Sequence, residues 1–84
     1  MTTLAATAAD YKSPIDRIPE AQDLCLRCIR KGLTPKSISY RLFQEHHTAV
    51  TWRTIYRWAK GEHGPQRNSD LDALRALAAT VEKE

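Results

Sequence analysis

A chain of 84 residues has room for one modest core and not for a deep substrate cleft on its own scaffold, so an enzyme is not expected. Its 13 Lys and Arg against 10 Asp and Glu leave a net charge of only +3, yet residues 34–67 hold Lys36, Arg41, Arg53, Arg57, Lys60 and Arg67 against only Glu45 and Glu62, which centres a positive field, attractive to phosphate, on the middle of the chain. No apolar run approaches the roughly eighteen residues that span a bilayer and no secretory signal is evident, so a cytoplasmic protein without a membrane partner is expected.

Residues 1–13 are small, polar and uncapped and read as a flexible N-terminal arm, with Ser13-Pro14 as a first turn; residues 14–84 form the single domain. Pro19 suits the first position of a helix whose apolar stripe, Ala21, Leu24, Cys25 and Cys28, runs to Ile29 before Lys31-Gly32 ends it. Cys25 and Cys28 have the C-x-x-C spacing of a redox or zinc pair. They fall on the buried stripe, however, and read as small core residues. His46, His47 and His63 lack the spacing that would complete a zinc site, so no metal and no cofactor are expected.

Thr34-Pro35 is an N-cap followed by proline at the first helical position, which predicts a second helix from Pro35 to about His46 with Ile38 and Leu42 on its inner face. Lys36, Ser37 and Arg41 are expected to contact DNA from this helix, the first two beside N–H groups and a positive dipole end turned to a phosphate. His46 to Ala49 make the turn, where protonation of His46 and His47 would raise DNA affinity at low pH.

The third helix, from about Thr51 to Lys60, is the most informative segment. Thr51 caps it, Gly61 ends it, and Val50, Ile55 and Trp58 take the inner face. Trp52, Arg53, Tyr56, Arg57 and Lys60 then point outward, a cationic and aromatic face with no carboxylate. Arg53 suits a bidentate contact to guanine, Arg57 a base or a phosphate, and Lys60 the DNA backbone. Thr51 divides its hydroxyl between cap and phosphate. Trp52 and Tyr56 suit a thymine methyl or sugar edge, or alternatively a protein partner.

Gly64 and Pro65 place a loop over residues 62–68, and Ser69 with Asp72 resembles a capping box opening a fourth helix. Its stripe is Leu71, Leu74, Leu77, Ala78 and Val81, of which Leu74, Leu77 and Val81 either cap the core or form a dimer seam. With no strand pattern, the fold class is all-α: a small four-helix domain with a helix-turn-helix in its second and third helices.

From Ala21 to Val81 the chain resembles the helix-turn-helix superfamily and, within it, the Cro and phage-repressor group. The resemblance lies in Gly32-Leu33-Thr34 between two helices, a hydrophobic-Thr entry at Val50-Thr51, a helix ending in Trp58 and Gly61, a proline-bearing loop and a leucine-rich helix. The interval from Ile38 to Val50 is longer than in that compact unit and is similar to the DNA-binding modules of some transposases. The resemblance implies a homodimer on a two-fold double-stranded DNA operator, read in the major groove by Thr51, Trp52, Arg53, Tyr56 and Arg57. The expected function is a sequence-specific transcriptional regulator, a repressor of phage or mobile-element origin, without a small-molecule ligand. The alternatives are an architectural, recombination or packaging factor, and a protein-interaction module using Trp52 and Tyr56.

Overall fold

The computed structural model describes residues 13–84, which form four helices: α1 (Pro14–Arg30), α2 (Pro35–His46), α3 (Trp52–Lys60) and α4 (Asn68–Lys83). The all-α expectation holds among the described residues; the arm, save Ser13, lies outside them. α1 packs along α4 and α3, and α2 packs on α3 and α4, so every helix turns one face to a shared interior. Ala21, Leu24, Cys25 and Cys28 of α1 meet Ile38 and Leu42 of α2, Ile55 and Trp58 of α3, and the α4 stripe there. These are the positions that the helical period marks as apolar.

α1 begins at Pro14 and not at Pro19. Ser13 is extended and accepts the Asp16 N–H at 3.4 Å, while its hydroxyl donates to the Asp16 carboxylate at 2.8 Å. Pro14 thus takes the first helical position, and Pro19 sits inside the helix, where it forgoes a backbone bond to Ile15. The added turns hold buried Arg17, whose Nη1 donates to the Pro65 carbonyl at 3.0 Å and ties the loop after α3 to α1.

α4 also departs from expectation at its start. It begins at Asn68, so Ser69 lies within the first turn and provides no cap; Arg67 stands at the cap position without a side-chain capping bond, its guanidinium pairing with Asp70 at 3.6 Å. Its carbonyl accepts from the N–H groups of Asp70 and Leu71, and Asp70 supplies the negative charge favoured at a helix start. The dimer seam on α4 is overturned. Leu74, Leu77 and Val81 are all buried within the one chain, which leaves none of the three for a partner.

The loop leaving α3 is held on α1 at close range. Gly61 has φ 77, and a Cβ there would lie 2.9 Å from Gln22 Nε2, which itself reaches the Ala59 carbonyl at 3.4 Å. Gly61→Ala is expected to destabilise the domain by about 1–2 kcal/mol, since an L side chain is strained in the left-handed region. Denaturant unfolding with an unchanged midpoint would contradict this. At Gly64 a Cβ would lie 3.0 Å from the Ile18 backbone nitrogen, a second close approach of the same loop to α1 that an added side chain could keep only if α1 shifted by a few tenths of an ångström.

Cys25 and Cys28 are free and buried in the core. Burial, followed by the neighbouring Cys28, pushes the Cys25 thiol from 9.0 up to about 12, and burial raises Cys28 as well. A thiol held protonated in the fold favours folding fully below pH 9, and the benefit is lost as the pH rises from 9 toward 12, where the unfolded chain ionises first. Native protein at pH 8 is expected to resist thiol-alkylating reagents until it unfolds. Rapid labelling of both cysteines without loss of helicity would contradict that.

Candidate nucleic-acid interface

α3 is short and sharply bounded. Thr51 is extended and its hydroxyl accepts the Thr54 N–H at 3.4 Å, while Gly61 closes the other end in the left-handed conformation. At 100° per residue, Trp52, Tyr56, Lys60, Arg53 and Arg57 occupy one arc of about 140°. All five are exposed, whereas Ile55 and Trp58 on the opposite side are buried. The contrast between the two tryptophans is direct: Trp52 is 42% exposed and Trp58 3%.

The face is assembled by cation–aromatic stacking. Arg53 Cζ lies 5.7 Å and Lys36 Nζ 5.5 Å from the Trp52 ring centroid, and Lys60 Nζ lies 5.1 Å from that of Tyr56;. Lys36 enters from the first turn of α2, so the structure brings two helices to one cationic and aromatic patch. Among the described residues, Lys36, Arg53 and Arg57 have no carboxylate partner, and Lys60 pairs with Glu62 at 3.2 Å. Three unneutralised cations on one face give a positive local potential that a polyanion would complement.

The remaining residues predicted for the site are placed differently. Ser37 gives its N–H to the Thr34 hydroxyl at 3.2 Å and shares a hydroxyl bond with it at 3.1 Å, and Pro35 has no N–H, so Lys36 alone keeps a free N–H in the first turn of α2. The hydroxyl of Thr51 is likewise occupied by its cap and by Thr54 Oγ1 at 3.0 Å. Arg41 is not brought to the patch. It joins Glu45 at 2.7 Å and Glu84 at 2.8 Å, linking α2 to the end of α4, and its guanidinium holds the Glu84 carboxyl below the usual range. Arg57, at the far edge of the arc, turns toward a second groove shared with Thr54, His63 and Arg67.

His47 closes α2 at φ 54, and Nε2 of His46 is buried with no hydrogen-bond partner among the described residues. Neither histidine joins the patch. No group of three or more His, Cys, Asp or Glu that could hold a metal is found among the described residues, and no helix there is long and apolar enough to cross a membrane.

Sequence reasoning missed a groove beside the patch. It has a volume of about 480 Å3 and runs between α2 and the start of α3, lined by Lys36, Tyr40, Phe43, Val50 and Trp52 among others. Tyr40 and Phe43 are 65% and 56% exposed. The signal was present: both aromatics fall off the inner face that Ile38 and Leu42 define, on the same side as Lys36. Ser39 shapes the groove floor by donating its hydroxyl to the Val50 carbonyl. Set against family models, curated proteins and solved structures, the chain matches none of them.

Proposed function

We propose that this domain is a sequence-specific DNA-binding regulator in which α2 and α3 act as a helix-turn-helix and the outward face of α3 enters the major groove of double-stranded DNA. The observation that carries the reading is the exposed arc of Trp52, Arg53, Tyr56 and Arg57 on a helix whose other side is locked in the core. In this reading Arg53, near the start of α3, pairs with the O6 and N7 acceptors of guanine, and Arg57 reaches a base or phosphate one turn on. Trp52 and Tyr56 pack on thymine methyls or sugar edges. Lys36 and its N–H, together with Lys60, meet phosphates and fix the register of the helix on the duplex. Repression by occlusion of a promoter is the mode proposed, as the Cro resemblance implies. A homodimer belongs to this proposal only through a surface other than the α4 stripe, which the core consumes.

Binding to a mixed-sequence duplex at several salt concentrations tests the electrostatic part. With three to four cations neutralising phosphates, the logarithm of affinity should fall against the logarithm of salt with a slope of about −3. Absence of binding at low salt, or affinity indifferent to salt, would contradict the role.

A further inference from the structure

The groove between α2 and the start of α3 is not needed for a helix to read a major groove, yet it combines two features that one kind of ligand would satisfy together. Its walls are the aromatic side chains of Tyr40, Phe43 and Trp52, and its lining contains no carboxylate. Lys36 lines it and Arg53 lies over the Trp52 ring beside it, both without a carboxylate partner among the described residues. Flat apolar surfaces interleaved with unneutralised cations match the alternation of bases and phosphates in an unpaired strand. A second copy of this chain would instead set the same cations against each other across the same apolar walls.

We propose that this groove takes an unpaired nucleobase, stacked against Trp52, Tyr40 and Phe43 with Lys36 on a flanking phosphate, so that the domain favours duplex DNA carrying a looped-out nucleotide. The proposal rests on the reading of the α3 face as a DNA-binding surface, with which the groove is continuous through Trp52. The stacked base stays within the duplex backbone, and its neighbours remain paired for α3 to engage.

The test compares fluorescence-anisotropy titrations of a mixed-sequence duplex and of the same duplex with one looped-out thymidine, using the full chain. Wild type is expected to bind the looped-out probe about tenfold more tightly, within what stacking of one base supplies. The double variant Tyr40→Ala, Phe43→Ala should erase that preference, leave affinity for the paired duplex unchanged, and melt with the wild-type domain because both side chains are exposed. Equal affinity for the two probes would overturn the groove's role and leave the α3 reading standing. A preference that survives the double variant would overturn it too. Failure of wild type to bind either probe would overturn both readings. A DNA-free dimer in sedimentation, dissolved by the double variant, would show a second copy as the occupant and overturn the proposal.

Discussion

A variant carrying Arg53→Ala and Arg57→Ala is expected to lose most specific DNA affinity, about 2–5 kcal/mol, while its thermal melt stays within about 0.5 kcal/mol of wild type. The separation of the two effects follows from where the side chains lie. Both arginines are exposed, neither has a carboxylate partner among the described residues, and neither contributes to the core. Removing them deletes charge and directional donors from the outward arc and leaves the packing of α3 untouched. The two sit four residues apart on one helix, so their losses need not add. Arg53→Ala alone should cost about 1–3 kcal/mol at a cognate site and relax one base position. Lys60→Ala should instead weaken all sequences alike. Equal losses on cognate and random duplexes for Arg53→Ala would remove the base-reading role and leave only phosphate contact.

Trp58→Ala is expected to have the largest effect on stability, about 3–5 kcal/mol, with a fall in Tm of more than about 15 °C. Trp58 is the bulkiest side chain of the α3 inner face, 3% exposed and set among the core residues of the other helices. A domain of this length has a total stability of roughly 4–13 kcal/mol, so the variant should be partly or wholly unfolded at 37 °C. Trp52→Ala on the same helix should leave the melt almost unchanged and weaken nucleic-acid binding. A melt shifted equally by the two substitutions would contradict the division of α3 into an inner and an outer face. Calorimetry or far-UV circular dichroism distinguishes these outcomes.

Helix ends were legible where a cap and a terminator stood at both boundaries. Thr34-Pro35 and Thr51 with Gly61 set α2 and α3 in sequence, and the structure places those boundaries within a residue of expectation. The start of α1 was misplaced because Pro14 and Pro19 both suit a first helical position. The deciding signal was local: Ser13 before Pro14, with Asp16 three residues on, caps the helix there. Ser69 misled because Ser and Asp at capping-box spacing also occur inside a first turn, and the cap of α4 is Arg67, two residues earlier.

The stripe of α4 was visible as a period, but its partner was not, since periodicity shows which side chains seek burial and not what covers them. The structure gives that answer for Leu74, Leu77 and Val81, which are buried on the α4 face that packs against α1 and α2. For the candidate interface, the outward set on α3 could be read from spacing alone. The arrival of Lys36 over Trp52 and the loss of Arg41 to Glu45 and Glu84 depend on how α2 and α4 pack, which no local pattern encodes. The groove of Tyr40 and Phe43 went unseen because it exists only once α2 lies against the start of α3.

The most direct measurement is selection of bound duplexes from a randomised DNA pool by the full chain at roughly physiological salt, where phosphate contacts alone retain little. Enrichment of a short motif containing guanine, with its guanine preference lost in a parallel selection by Arg53→Ala, is the result expected of a helix that reads bases through that residue. A pool that stays random after repeated rounds, or a motif that Arg53→Ala leaves unchanged, would contradict the proposed role of α3.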